Sequence, residues 1–393
     1  MIKFNIKPLD FDISSQLREK IDNLNKPKNS LGRLEELAWQ TGLIQHSLSP
    51  TADKPHHVLF GADHGIEKEG VSVSPREVTW QQMQNFTVGG GGVNLFCRQH
   101  NVKLHIVDVG VDYDFSDRYK NPEAVPFPMV DRKIGYGTRN FLHEYAMTVN
   151  EFDQALRVGA DLVDECEADG CDVISFGEMG IGNTSPSSVW MYFFEGIPLD
   201  RCVGAGAGLN SSGISHKFEV LAKAVRTFVA EVGIDSSTPL VAPDDWTFIY
   251  QPGMTAPEPF RIQTPAQPYF PAYAAEIMRW FGGFEMIAAV GGMLRAAEKK
   301  MIIMVDGFIM TACALAACQL DPNVAGYMVY AHQGDEAGHA LMLKAMGARP
   351  LLNLGLKLGE GTGALCALPI LQSAVRMINE MDNFQHAQIT KYF

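Results

Sequence analysis

Cysteine is scarce in this sequence, and its cysteines are not spaced as metal ligands or disulfide partners usually are. The 393 residues include seven cysteines, an odd number, and no two of them form a Cys-x-x-Cys pair. This distribution argues against a zinc site and against a disulfide framework, and it suits a reducing compartment. The histidines form no His-Glu-x-x-His pair, so we expect no metal site and no cofactor.

Net positive charge and uninterrupted apolar stretches are also missing. The formal charge of −13 argues against nucleic acid or an anionic membrane as the main partner. The longest apolar stretch, Met301 to Leu320, is interrupted by Asp306 and Gly307, which predicts a buried strand followed by a buried helix rather than a membrane span. The first residues, MIKFNIKPLDFDIS, lack the apolar core of a signal peptide, so we expect a soluble, cytoplasmic protein.

Short β-type runs alternate with helix-like segments between about residue 55 and residue 335. The predicted strands are 57–60, 103–107, 172–176, 301–305 and 327–330. The alternation predicts an α/β fold with a mostly parallel sheet covered by helices on both faces. At least four of these runs are followed at once by a glycine or an acid, which predicts a ligand crevice at the carboxyl ends of the strands.

Three segments fall outside this alternation. A helix is predicted after Ser30 and another over residues 363–382, and these terminal helices could pack together as a small second domain. We therefore predict a division into residues 1–50, 51–350 and 351–393, with the first and last parts forming the helical domain. Residues 234–280 are rich in proline and aromatics, which predicts an ordered lid, an oligomer contact, or a surface loop whose aromatics only pack against the domain.

The segment 176–185, FGEMGIGNTS, predicts a strand, a glycine-rich turn and then a helix from Ser187. Glycines let backbone amides approach a ligand closely, and a helix N-terminus favours an anion, so a phosphate cradle is one interpretation. The other interpretation is that these glycines only allow the chain to turn. Glu178 favours the functional interpretation, because a carboxylate beside an anion cradle requires a reason to be there.

Two further glycine clusters carry charged residues. The first, 203–210, lacks the GxGxxG spacing of a dinucleotide site, so Lys217 beyond it is interpreted either as a phosphate counter-charge or as a solvated side chain. The second, 356–364, places Glu360 between glycines before an apolar helix. Glu360 is interpreted either as a functional carboxylate or as an acid that stabilises a helix N-terminus. A helix N-terminus would lower the pKa of Glu360, whereas burial or a neighbouring carboxylate would raise it.

Taken together, these segments resemble the nicotinate-nucleotide:dimethylbenzimidazole phosphoribosyltransferase family over nearly the whole chain. The ordered blocks that carry the resemblance are NKPKNSLGRLE at 25–35, ADHG at 62–65, GEMGIGNT at 177–184, VDGF at 305–308 and LGEGTG at 358–363. The resemblance implies a Rossmann-like domain, a small helical domain built from both chain ends, and a homodimer. It also implies transfer of 5-phosphoribosyl from nicotinate mononucleotide to a benzimidazole-type base.

The resemblance also assigns roles to residues. It implies that Glu360 is the general base with Glu178 near it, and that the acceptor base lies near Ser74 and Gln82. The predicted phosphate and other substrate contacts are Gly180, Gly182, Asn183, Thr184, Gly206, Lys217, Asp306, Gly359 and Gly361.

The sequence departs from many relatives in two places, residues 331–338 and the longer 234–280 segment. Neither removes a predicted catalytic residue, but an aromatic-rich lid could reshape the pocket for the acceptor. Two alternatives to the transferase stay open at this point. The chain could be a catalytically silent nucleotide-binding relative, or an N-glycosidase in which water replaces the acceptor base.

Overall fold

The computed structural model describes residues 2–206, 208–234, 237–249, 258–262 and 271–391. Within them, six parallel strands form one sheet. The strands are β1 (Pro55–Ala62), β2 (Lys103–Gly110), β3 (Met129–Asp131), β4 (Val173–Met179), β5 (Ile302–Val305) and β6 (Met328–Tyr330). All five predicted strands are confirmed, and the edge strand β3 was missed.

The sheet is covered by helices, and most of its strand residues are buried. The helices are α1 (Ser14–Asn23), α2 (Arg33–Gln45), α3 (Glu77–Thr87), α4 (Gly92–Gln99), α5 (Ser116–Lys120), α6 (Val149–Ala168), α7 (Thr184–Glu195), α8 (Leu199–Cys202), α9 (Ser211–Val232), α10 (Ala274–Phe281), α11 (Phe284–Glu298), α12 (Phe308–Leu320), α13 (His339–Ala345) and α14 (Thr362–Glu380). Short 3-10 turns occupy Gly65–Glu69, Pro122–Ala124, Pro271–Tyr273 and Pro322–Tyr327. No helix in the described part of the chain is long and apolar enough to cross a membrane.

The strand order β3-β2-β1-β4-β5-β6 determines where a ligand can enter. The chain moves outward from β1 in one direction and then returns to place β4 on its other side. In open parallel sheets the loops diverge at such a reversal and leave a crevice at the carboxyl ends of the two central strands. The predicted Rossmann-like α/β fold is confirmed, and β1 and β4 are the strands on either side of the reversal.

The two ends of the chain lie against each other. Helices α2 and α14 pack together, and Leu24 forms an isolated antiparallel bridge with Asn383. The amide of Asn379 donates to the Pro50 carbonyl at 2.7 Å. The terminal helices therefore touch, while the division of the chain into domains at residues 50 and 350 stays a prediction.

The proline-rich segment 234–280 lies partly outside the described residues. In its described part, the Phe260 ring packs against Trp39 at 6.0 Å and under the guanidinium of Arg18 at 3.3 Å. Phe248 lies 5.0 Å from the Lys344 ammonium. These aromatics thus pack on helices of the same chain, and the lid and oligomer-contact interpretations stay predictions.

Helices α6 and α11 pack with their backbones almost in contact. A methyl group on Gly159 would overlap the carbonyl oxygen of Ala288, and one on Gly291 would overlap the carbonyl of Leu156. Glycine is therefore required on both sides of this helix pair, because any side chain would push the backbones apart.

Gly159→Ala should lower the free energy of unfolding by about 1–3 kcal/mol, because overpacking forces the two helices apart. The loss should appear even though alanine favours helix over glycine by about 1 kcal/mol. Urea unfolding measures the effect, with Asp161→Ala on the exposed face of α6 as the control. An unchanged midpoint for Gly159→Ala would contradict the backbone contact.

Candidate active site

A cleft opens at the carboxyl end of the sheet. It is lined by Val71, Ser72, residues 178–184, Gly206, residues 306–310, His332, Gly334, Glu336 and residues 356–359. Most of these residues follow β4, β5 and β6 or belong to the glycine clusters. The crevice predicted from the strand ends is therefore present.

The glycine-rich turn after β4 leads directly into α7, which begins at Thr184 rather than at the predicted Ser187. A methyl group on Gly180 would lie 2.6 Å from the Ala62 carbonyl oxygen, so the turn tolerates only glycine there. Beneath the turn, His64 and Glu285 form a fully buried pair with 2.6 Å between Nε2 and Oε1. Asn183 and Thr184 line the cleft, so the N-terminus of α7 faces it. A helix N-terminus attracts an anion.

Lys217 is fully buried and points to the same turn. Its Nζ donates to Thr184 Oγ1 at 2.7 Å, while Glu336 accepts the Gly206 amide at 3.3 Å. Burial lowers the pKa of Lys217 to about 8, and the charge of Glu336 opposes that shift. The interpretation of Lys217 as a solvated side chain is wrong, and a charge buried beside an anion cradle favours the counter-charge interpretation.

Glu178, near the end of β4, lines the cleft and is almost fully buried. Burial raises its pKa to about 8; the hydrogen bond from Asn183 opposes the shift, and the charges of Glu285, Asp306 and Glu360 add to it. In the free protein this carboxyl is therefore mostly protonated at neutral pH.

Glu360 lies in left-handed backbone between two glycines with the same handedness. Its carboxylate accepts the Val93 amide at 3.2 Å, at the first turn of α4 rather than of α14. Burial raises the pKa of Glu360, the amides of Val93 and Gly92 lower it, and the charge of Asp306 raises it, with a net increase. The opposing effects foreseen from sequence are both present, and burial is the larger.

The two glutamates belong to one site. A methyl group on Gly359 would lie 2.6 Å from Glu178 Oε1, and the charge of Glu360 acts on Glu178. Asp306 lies close to both. Burial alone would raise the pKa of Asp306, but His332 and the backbone amides of Gly307 and Ala364 bring it below its ordinary value. The charge of an ionised Asp306 therefore adds to the burial that raises the pKa of both glutamates.

Some predicted residues lie away from the cleft lining. Ser72 lines it, whereas Ser74 does not, and Gln82 accepts a hydrogen bond from Asn85 on its own helix. A side chain on Gly361 would overlap the His57 ring, so this glycine is required by packing. Substrate contact by Ser74, Gln82 and Gly361 stays a prediction.

Sequence reasoning missed His57 and Ser175, which support Glu360 from below. They are register partners on β1 and β4. His57 Nδ1 lies 2.7 Å from Ser175 Oγ, and its Nε2 lies 3.0 Å from the Glu360 carbonyl oxygen. Burial lowers the pKa of His57 to about 4, so the neutral ring donates through Nε2 and accepts from the serine. The sequence signal that could have found them is a histidine and a serine within strands predicted to be buried.

Comparison with known proteins identifies the family. A family model described as phosphoribosyltransferase matches residues 6–240 and 262–389. A Phocaeicola vulgatus protein named nicotinate-nucleotide–dimethylbenzimidazole phosphoribosyltransferase is 51% identical over 395 residues, which covers 100% of each chain. The chain belongs to the nicotinate-nucleotide–dimethylbenzimidazole phosphoribosyltransferase family.

Other members of this phosphoribosyltransferase family agree with the assignment. A Dechloromonas aromatica protein of the same name is 39% identical over 390 residues, or 99% of each chain. The crystal structure of the Thermus thermophilus member is 31% identical with a TM-score of 0.80, and the match covers 98% of this chain and 100% of that one. The resemblance read from the sequence is confirmed, and the chain is an enzyme of the pentosyltransferase class. Residues 241–261, which the family model leaves unmatched, lie inside the proline-rich segment.

Glu178→Gln should change how stability depends on pH. The folded protein keeps the Glu178 proton up to about pH 8, whereas the unfolded chain loses it near 4.5, so this carboxyl reduces stability as pH rises through that window. The glutamine variant cannot ionise and should lose less stability than the parent between about pH 5 and pH 9. Urea unfolding across this range is the measurement, with exposed Glu144→Gln as the control. If the free energy of unfolding depended on pH in the same way in parent and variant, the raised pKa of Glu178 would be contradicted.

Proposed function

We propose that this enzyme transfers 5-phosphoribosyl from nicotinate mononucleotide to 5,6-dimethylbenzimidazole or a related base. The products are α-ribazole 5′-phosphate and nicotinate, for cobalamin biosynthesis. The observation that carries the proposal is the pair of buried glutamates, Glu178 and Glu360, beside an anion cradle at the end of the sheet. The names of the family members above support the same substrates.

The donor's phosphate would lie at the turn 180–184, beside Gly206 and the N-terminus of α7. Lys217 would supply the balancing positive charge, and its hydrogen bond to Thr184 holds it at the turn. A buried cation and a helix N-terminus both favour an anion more strongly here than they would in water. The donor's sugar would then lie between the cradle and the two glutamates.

Bond exchange needs one base and one leaving group. The acceptor's ring nitrogen attacks the anomeric carbon, the bond to nicotinate breaks, and its electron pair returns to the nicotinate ring nitrogen. Glu360 accepts the proton that the acceptor's ring N–H group loses. The raised pKa of Glu360 makes it a stronger base than an exposed glutamate. Nicotinate leaves readily because its ring nitrogen is already cationic, so we propose that neither a metal nor an acid takes part.

Glu178 changes its charge state during this cycle. It is mostly protonated in the free protein, and the cationic ring of the donor would favour its ionised form. The resulting carboxylate would stabilise the positive charge that develops at the anomeric carbon. Donor binding should therefore release a proton from the protein.

We further propose, from the family resemblance, that the enzyme is a homodimer and works in the cytoplasm. A homodimer agrees with the family but is independent of the chemistry above. Sedimentation of the purified protein tests it directly.

The test of the function is an acceptor screen with product masses as the readout. Purified protein with nicotinate mononucleotide and dimethylbenzimidazole should release nicotinate and form α-ribazole 5′-phosphate in equal amounts. Nicotinate release without acceptor would instead identify a glycosidase. Calorimetric donor binding with no release for any azole or phenol would identify a catalytically silent relative.

Glu360→Gln should lower kcat by roughly 10²–10⁴-fold, because loss of a positioned proton acceptor has that cost. The affinity for nicotinate mononucleotide should change little, since the donor's phosphate is assigned to the turn at 180–184 and to Lys217 and not to Glu360. Steady-state kinetics and donor titration measure both quantities. An unchanged kcat would remove Glu360 from the base role.

His57→Met should lower kcat by about tenfold with little change in KM, because small misplacements of a catalytic group are costly. Methionine fills similar space but cannot donate to the Glu360 carbonyl. His57→Gln, whose amide nitrogen can occupy the position of Nε2, should recover most of the rate. Equal kinetics for the methionine and glutamine variants would show that His57 only fills space.

A further inference from the structure

Three metal-ligating side chains converge at the amino end of the sheet, opposite the cleft. They are His56 at the start of β1, His105 on the adjacent strand β2, and Cys166 in the last turn of α6. His105 Nε2 lies 3.1 Å from His56 Nδ1 and 3.7 Å from Cys166 Sγ. The three ligand atoms all lie within 4.8 Å of one another.

We propose that His56, His105 and Cys166 bind a divalent transition-metal ion, with zinc the best match. Zinc bonds of about 2.0–2.1 Å to nitrogen and 2.3 Å to sulfur place tetrahedral ligand atoms roughly 3.3–3.7 Å apart. The separations measured from His105 Nε2 require shifts of only a few tenths of an ångström. Two imidazoles and a thiolate select zinc, cobalt or copper over magnesium and calcium, which prefer oxygen.

A carboxylate orients the first of these ligands. Asp169 Oδ2 lies 3.3 Å from His56 Nε2, whereas the cluster is reached through Nδ1 of the same ring. Histidine ligands commonly donate their second N–H to such a carboxylate, which directs the other nitrogen's lone pair at the metal. With Nε2 of His56 protonated, His105 donates to His56 Nδ1 in the metal-free protein, so metal binding requires His105 to change tautomer.

The electrostatic surroundings tolerate a cation. Cys166 lies in the last turn of α6, where the helix dipole favours positive charge. Lys54 and Lys103 lie near His56 and oppose a cation, while Asp169 and Asp172 offset them. Burial lowers the pKa of both histidines, that of His105 to about 4, so both rings are neutral at physiological pH.

Binding requires loss of the thiol proton. Burial and nearby acids raise the pKa of Cys166 to about 12, so the incoming ion displaces one proton, which passes to solvent. A surface groove beside His56, lined by Asp53, Lys54, Asn101, Lys103 and Asp169, gives the ion an entry path. Water from this groove can supply the fourth ligand. Affinity should therefore increase with pH.

Such an ion would join β1, β2 and α6 at a distance from the cleft, so its role would be structural. The sequence expectation of no metal site rested on the absence of closely spaced ligands. Here the ligands are 49 and 61 residues apart in sequence, and only the fold brings them together.

The test is titration of the chelator-stripped, full-length protein with Co²⁺, followed by absorbance. One equivalent should produce a thiolate-to-cobalt charge-transfer band, and Zn²⁺ should bleach it. Cys166→Ser should lose the band, and Asp169→Asn should weaken binding by about tenfold, as loss of an orienting partner usually does. Two controls should keep the band: Cys366→Ser, and His46→Ala from the exposed Asp10, Asp12 and His46 group.

Stability gives a second readout. Zn²⁺ should raise Tm of the parent protein and of Cys366→Ser, but not of Cys166→Ser or His105→Gln. Circular dichroism of the metal-free variants distinguishes a lost site from a lost fold. A charge-transfer band that survives in folded Cys166→Ser, or no metal retained near one equivalent, would overturn the proposal.

Discussion

Burial of carboxyl groups at the carboxyl end of a parallel sheet is the constraint around which this site is built. Removing Glu178 and Glu360 from water favours their neutral forms, and each hydrogen bond they accept favours ionisation instead. Asn183 acts in this way on Glu178, and the first amides of α4 act on Glu360. Asp306 takes the ionised state, held by His332 and two backbone amides, and its charge adds to the burial that raises the pKa of both glutamates.

The loop that carries Glu360 shows how this constraint is met. A non-glycine residue in left-handed backbone costs on the order of 1 kcal/mol or more, so neighbouring contacts have to hold it. The glycines at 359 and 361 leave room for Glu178 on one side and for the His57 ring on the other. The His57 hydrogen bond fixes the carbonyl, and the α4 amide fixes the carboxylate. Both ends of Glu360 are thereby held from different elements.

Much of the architecture could be predicted from sequence, because buried parallel strands are continuous apolar runs ending in glycine or acid. Strand β3 was not predicted because it has only three residues and directly follows Pro126 and Pro128. The turn at 180–184 and the loop at 359–361 were found from their glycines. The net pKa shift of Glu360 could not be predicted, since it depends on a helix 267 residues earlier in sequence. His57 and Ser175 were hidden within runs read as apolar strands.

The start of β1 places two histidines side by side in the sequence. Consecutive strand residues point to opposite faces, so His56 faces α6 while His57 faces the Glu360 loop. A slip of β1 by one position would exchange the two rings and deprive both faces of their partners at once. The alignment of β1 with β2 and β4 is therefore constrained by contacts on both faces, and an insertion near residue 55 would be more harmful than its distance from the cleft suggests.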